Sequence, residues 1–283
     1  MRINVGGVSV VAGACVIDFD GREFRFDDSR CYQTRGCSCV ELVKRALMSD
    51  GIDFHINPFK LILFTGDYIY DYPFCFSGPK YTDFLIPDFN FWAWPEVGID
   101  DYEDTCQKIL EASEEEPEYD KLFWAGNTNT NAGRKKFKII TEGDKDIVVD
   151  DTGNWVVKPG MRRLETGSRT FTSLPDHCKY KYLIDFLGNG YSGRVKHLLH
   201  SGRPLFYQER EWNEYWFFDM EPFVHYIPVK NDLSDFYEKF EWAKNNEHEC
   251  VKIGRQAQDF AKNNLRRSNA VQRYVDILRI VAS

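Results

Sequence analysis

Gly188-Asn189-Gly190-Tyr191-Ser192-Gly193, followed at once by Arg194, is the stretch of this 283-residue chain that speaks most directly of ligand chemistry. Its glycines fall in a G-x-G-x-x-G spacing. Between a strand and a helix, such a spacing lets the backbone approach phosphate and turns N–H groups toward an anion. Glu209, near the end of the next apolar run, stands where a dinucleotide fold places its ribose-binding acid. Two features point elsewhere. The motif begins so late that too few strands remain for the usual dinucleotide domain. Arg194, with Lys196 beyond it, suits the more heavily charged diphosphate of a departing nucleotide, because a guanidinium fork matches phosphate oxygens. On the residues alone, an NAD-linked oxidoreductase and nucleotide-sugar chemistry both stay open.

Other reactive groups are fewer. Asp18-Phe19-Asp20 and Asp144-Lys145-Asp146 raise a metal-dependent transferase, but the first reads as a hairpin turn and the second as a polar loop. Cys31, Cys37 and Cys39 cluster without the paired Cys-x2-4-Cys spacing of a structural zinc site, so reduced thiols are expected. His197 and His200 share a helix face but lack the spacing and glutamate of a zinc protease, and read as packing or surface histidines. No metal site is expected.

The elements that must hold these groups divide at an acidic stretch. Glu111 to Asp120 carries six acids, interrupted by Pro117. Before it, Cys15–Phe19 and Glu23–Phe26 flank Asp20-Gly21, a strong hairpin signal. Cys39–Met48 places Val40, Val43 and Leu47 on one helical face, and Leu61–Thr65 reads as a buried strand ending in Gly66-Asp67-Tyr68. After it, strands at Tyr182–Leu187, Pro204–Gln208 and His225–Val229 alternate with helices at Val195–His200 and Trp212–Phe218. Helices follow at Asp235–Asn245, Glu247–Leu265 and Ser268–Val281. Alternation of this kind predicts an α/β fold with a parallel sheet.

Composition narrows the classes further. Lys+Arg 36 against Asp+Glu 44 gives a net charge of −8, which argues against a protein built to neutralise a nucleic-acid backbone. The opening residues lack the continuous apolar run of a signal peptide, and no apolar window is long enough to span a bilayer. A soluble cytoplasmic protein is the expectation.

Longer blocks carry a family resemblance. Asp176-His177-Cys178-Lys179-Tyr180-Lys181-Tyr182-Leu183, then Ser192, Arg194 and Lys196-His197-Leu198, and finally His225-Tyr226-Ile227-Pro228-Val229-Lys230 with Asp232-Leu233-Ser234, resemble glycosyltransferase family 90. This is the family of CAP10-like capsule enzymes and of protein O-glucosyl- and O-xylosyltransferases. The resemblance covers roughly residues 60 to 265. It implies a GT-B fold, in which two Rossmann-like halves face a cleft. Residues 1–115, with a C-terminal helix at 266–283 packing back across the halves, would form the acceptor side, and residues 116–265 the UDP-sugar side. It also implies inversion at the anomeric carbon, no metal and no cofactor beyond the UDP-sugar co-substrate.

The implied roles follow by residue. Asp67-Tyr68 matches the family's Asp-Tyr after a buried strand, which makes Asp67 the base. Arg194 matches the diphosphate arginine, and His177, Ser192 and Gly193 belong to the same block. Phe123-Trp124-Ala125-Gly126-Asn127 is similar to an aromatic-Arg-Gly-Ser segment, with Ala125 in place of the arginine, and leaves Gly126 and Asn127 as donor contacts. Arg134 matches a second donor-binding arginine. Phe89 to Trp92 resembles a cleft-lining aromatic segment, which adds Trp92, and a looser N-terminal match adds Arg35. Among family members the chain looks most like xylosyltransferases of viral capsid glycans. Xylose is thus the first expected sugar and glucose the second, with a glycan hydroxyl as acceptor ahead of a protein serine, and no nucleic-acid or integral-membrane partner.

Overall fold

The computed structural model describes residues 3–5, 8–10, 13–32, 34–49, 58–67, 74–153 and 172–282; Tyr68 lies outside them. Local turn chemistry begins the first half. Strands β1 (Ile3–Val5) and β2 (Val8–Val10) form an antiparallel pair. Then Asp20 accepts the backbone N–H groups of Arg22 and Glu23, each at 2.9 Å, and Gly21 takes φ +94°. This turn joins β3 (Ala14–Phe19) to β4 (Phe24–Asp27), as Asp20-Gly21 predicts. Strand β5 (Phe59–Phe64) pairs antiparallel on the other side of β3. Helix α1 (Arg35–Leu47) covers this sheet and starts four residues before the predicted Cys39, so that it includes Arg35. Pro87 to Pro95 is irregular, as its prolines require, and forms two 3-10 turns. The expected Rossmann-like first half is thereby corrected: its sheet, among the described residues, is antiparallel in the order β4-β3-β5. The tight turn at Gly21-Arg22, closed by Asp20 and Glu23, reverses the chain between β3 and β4, and β5 returns antiparallel on the other edge of β3.

Helix α2 (Tyr102–Ser113), capped by Asp101, leads through the acidic stretch into the second half. There β6 (Tyr119–Gly126), α3 (Ala132–Ile140), β7 (Ile147–Asp151), β8 (Tyr180–Asp185), α4 (Val195–Leu199), β9 (Leu205–Gln208) and β10 (Ile227–Val229) succeed one another. Helices α5 (Phe236–Asn245), α6 (Glu247–Asn264) and α7 (Arg267–Ala282) complete the chain. All pairings in this five-stranded sheet are parallel, in the order β7-β6-β8-β9-β10.

Alternate side chains feed two cores. Phe123, Leu183, Leu205 and Tyr207 join a core shared with the first half. Leu122, Trp124, Tyr182, Ile184 and Phe206 pack with Phe137 of α3, Phe236 and Phe240 of α5 and Ile253 of α6. A parallel sheet needs both faces covered, and the period of two delivers that. Helix α7 returns to the first half: the Tyr274 hydroxyl donates to the Pro87 carbonyl at 2.9 Å and Arg273 to the Thr82 carbonyl at 3.0 Å. No described helix is long and apolar enough to cross a membrane.

Strand order fixes where a ligand crevice must lie. From β6 the chain moves to β7 on one side and then to β8 on the other, so the connections leave β6 and β8 in opposite directions. In open α/β sheets such a switch point opens a crevice at the carboxyl ends of the strands. One rim is tied by Asp151, which accepts Thr128 N–H (3.2 Å), Thr128 Oγ1 (2.7 Å) and Lys138 Nζ (2.7 Å). Burial alone would raise its pKa, but Lys138 and Thr128 hold it at about 2. A pKa below the unfolded value of about 3.9 means stability that is present above that pH and lost as pH falls toward 2. Asp151→Asn should lower the thermal midpoint at pH 7 by roughly 2–4 °C, with the difference fading by pH 2. A difference that persists at pH 2 would contradict this.

Candidate functional site

The last residue of β8 is an acid with no access to solvent. Asp185 follows the buried pair Leu183-Ile184 and is 0% exposed, which a carboxylate tolerates only with charged partners. Its Oδ1 accepts Ser192 Oγ at 2.9 Å and Arg194 Nε at 3.1 Å; its Oδ2 accepts an Arg210 terminal nitrogen at 2.9 Å. Burial would raise the Asp185 pKa, but Arg210, Arg194 and Arg134 outweigh it and hold the carboxyl below its usual range.

The three arginines come from three elements. Arg194 is the residue before α4, and its Nη1 donates to the Ala125 carbonyl at the end of β6. Arg134, on the first turn of α3, donates Nε to the Leu187 carbonyl (2.8 Å), Nη2 to Phe186 (3.3 Å) and Nη1 to Asn127 (3.4 Å). It thus spans the loops after β6 and β8, across the switch point. Burial first, then the like charges of Arg194 and Arg210, pull its pKa down to about 9. Unbalanced positive charge of this kind suits an anion bound in the crevice.

The remaining expected donor contacts gather to different degrees. Gly126 ends β6, where a Cβ would lie 2.7 Å from the Trp124 ring. Asn127 accepts the Asn129 N–H at 2.8 Å and so shapes the rim. His177 is buried edge-on to Phe123; its Nδ1 lies 2.8 Å from the Ser173 carbonyl, so that nitrogen carries the proton, and Nε2 has no partner among the described residues. Burial, then Arg194, pushes its pKa to about 4, so the ring is neutral at pH 7. Trp92 is taken up elsewhere: Arg267 of α7 lies 4.6 Å over its ring and Arg45 of α1 5.7 Å. Arg35 is engaged within the first half. It donates to Asp67 Oδ1 at 2.8 Å and to the Thr65 carbonyl at 3.2 Å, with its guanidinium over Phe89 at 4.7 Å.

Asp67 reaches the crevice region through the glycine loop. A Cβ on Gly190 would lie 1.5 Å from the Asp67 carbonyl oxygen, so the loop presses on the backbone that carries this carboxylate. A Cβ on Gly193 would lie 2.4 Å from Asn90 and 3.0 Å from Asp88, and one on Gly188 would lie 2.6 Å from the Tyr191 carbonyl oxygen. Protein packed against the loop thus gives each glycine of the spacing a local reason. A buried cluster fastens the same loop to the first half. Lys196 Nζ lies 3.1 Å from Asp88 and 3.0 Å from Glu214, and the Tyr191 hydroxyl donates to Asp88 at 2.9 Å. Burial and the Asp88 charge push the Glu214 carboxyl up, against the pull of Lys196.

The two Asp-x-Asp triplets have local duties. Asp20 closes the hairpin, and Asp146 pairs with Lys244 at 3.3 Å. His197 and His200 are both buried, with edge contacts to Tyr102. A cavity of about 520 Å³ opens at the opposite, amino edge of the parallel sheet, among Glu114, Lys181, Arg203 and Arg255. Its Lys181 is already paired with Asp120 and Glu247. Sequence reasoning missed Asp185, Arg210 and the Asp88–Lys196–Glu214 cluster. The first had a signal, an acid closing the apolar run Tyr182-Leu183-Ile184; the cluster joins residues far apart in the chain and had none.

Comparison with known proteins adds an independent finding. A family model described as Glycosyl transferase family 90 matches residues 71–281. Protein O-glucosyltransferase 1 of Rattus norvegicus is 29% identical over 66% of this chain and 50% of its own length. O-glucosyltransferase rumi of Drosophila melanogaster is 27% identical over 73% of this chain and 55% of its own. The chain spans about half the length of the curated relatives it matches. A crystal structure of Anabaena HepE in complex with UDP and glucose aligns over 62% of this chain and 44% of its own, with 9% identity and a TM-score of 0.39.

Gly190→Ala tests the contact between loop and carboxylate. The added methyl must displace backbone, not a flexible side chain, and overpacking of this kind costs about 1–3 kcal/mol or more. We expect a thermal midpoint lower by several degrees, whereas an unchanged midpoint would show that the loop and the Asp67 backbone do not meet.

Proposed function

The chain belongs to glycosyltransferase family 90, and on that premise we propose that it transfers a sugar from a UDP-sugar to an acceptor hydroxyl, with Asp67 as base and Arg194 and Arg134 on the diphosphate. The observation that carries this reading is the excess of guanidinium groups around Asp185 at the switch point, with Asp67 against the glycine loop of the same site. In the proposed GT-B arrangement the second half holds the donor and Asp67 comes from the first. Arg35 engages Oδ1 of Asp67 and leaves Oδ2 to take the acceptor's proton. The acceptor oxygen bonds to the anomeric carbon as the bond from that carbon to the β-phosphate oxygen breaks. Attack from the face opposite the leaving group inverts the centre. The electron pair leaves with UDP, whose growing charge meets Arg194 and Arg134. Fixed guanidinium charge serves the role a divalent cation would otherwise fill.

The names of the relatives bear on the sugar. Both are O-glucosyltransferases, which puts glucose ahead of the xylose favoured by the sequence and gives a protein hydroxyl weight beside a glycan one.

Asp67→Asn should slow transfer by about 10²–10⁴-fold and leave UDP affinity within a few-fold; an active variant would remove Asp67 from the reaction. Arg194→Ala should weaken UDP binding by roughly 1.5–3 kcal/mol; unchanged affinity would refute its role. Transfer from UDP-glucose and UDP-xylose should persist in EDTA, and a rate abolished by EDTA and restored by a divalent ion would overturn the metal-independent mechanism.

A further inference from the structure

One buried guanidinium has no place in the mechanism so far. Arg210 lies two residues beyond the end of β9, and its side chain is 1% exposed. Its Nε donates to the Gln208 carbonyl at 3.0 Å. Its Nη2 donates to both the carbonyl and Oδ2 of Asp185, at 3.2 and 2.9 Å. Its plane lies 4.0 Å over the Tyr207 ring. The orientation is therefore fixed by a strand end, a carboxylate and an aromatic face. Yet Nη1 is buried and has no acceptor among the described residues. A buried charged donor left unpaired forfeits its hydration without return, and native proteins rarely keep one unless something else completes it.

Charge points the same way. Asp185 supplies one negative charge to Arg134, Arg194 and Arg210, which leaves two positive charges in excess at a place with little solvent. The diphosphate of a nucleotide-sugar carries one negative charge on each phosphate and gains another when the sugar departs. The end of β6, Trp124-Ala125-Gly126, contributes no cation, and Arg210 engages Oδ2 of Asp185 where Arg194 engages Oδ1.

We propose that Arg210 is a donor-binding residue, held by Asp185 and Tyr207 so that Nη1 meets a phosphate oxygen of the bound nucleotide. The proposal rests on the UDP-sugar reading above. Its rival is a purely structural role, in which Arg210 only neutralises Asp185.

Binding of UDP and of uridine to the full chain separates the two. Arg210→Gln removes the charge; Arg210→Lys keeps a cation for Asp185 but has no fork to hold it and a phosphate together. Titration calorimetry should show UDP affinity down by about ten- to a hundredfold for Arg210→Gln and roughly tenfold for Arg210→Lys, while uridine binding, followed by NMR shifts, changes less than about threefold. The Arg210→Lys arm decides the matter if Arg210→Gln does not fold. Unchanged UDP affinity, or equal losses for UDP and uridine, would overturn the proposal and leave Arg210 as a structural partner. Wild-type protein that binds no UDP would instead overturn the UDP-sugar reading, and the proposal with it.

Discussion

A carboxylate sealed at the end of a parallel strand has to be neutralised by the protein, and Asp185 draws its neutralising charge from three separate elements. Arg194 comes from the loop before α4, Arg134 from α3 and Arg210 from the end of β9. Removing one partner of such a buried group costs about 3–5 kcal/mol, so the arrangement is strongly enforced once the sheet has formed. Its geometry is set by the order of the strands, since the connections after β6 and β8 leave in opposite directions, the arrangement at which open α/β sheets form a crevice. The same carboxylate that the fold must satisfy thereby assembles more positive charge than it can absorb, and this surplus is what an anionic ligand would meet.

The glycine loop connects that charge cluster to the first half. Three of its glycines are pressed by Asp67, by Asp88 with Asn90, and by Tyr191, and Lys196 just beyond is buried between Asp88 and Glu214. A loop locked on both sides holds Asp67 and Arg194 in one rigid neighbourhood, which is what a base and a leaving-group cation need if they serve a single reacting centre. Arg35 completes the frame by fixing one oxygen of Asp67 while stacked on Phe89.

Much of this was legible in the residues, for identifiable reasons. Asp20-Gly21 declared its hairpin because the turn is local, and the apolar runs at 182–187, 204–208 and 225–229 declared strands, which the structure sets at 180–185, 205–208 and 227–229. Strand β6 was hidden: it begins inside the acidic stretch, with Tyr119 and Asp120 exposed and Lys121 half-buried. The G-x-G-x-x-G spacing was visible, but its cause was not, because Asp67 and Asp88 lie about a hundred residues away in the chain. Trp92 shows the same limit from the other side, an aromatic in a cleft-like segment whose ring is claimed by Arg267 from the C-terminal helix. Arg194 and Arg134 could be named through the family resemblance, whereas Asp185 left only the trace of an acid closing an apolar run, and its place as their common partner needed the sheet.

The central claim is that the crevice between the carboxyl ends of β6 and β8 holds a nucleotide diphosphate. A crystal structure of the chain with UDP tests it most directly. The account predicts phosphate oxygens within hydrogen-bond distance of Arg194 and Arg134 between those strand ends. UDP seated in the cavity at the amino edge, beside Lys181 and Arg255, would contradict it, as would no bound UDP at saturating concentration.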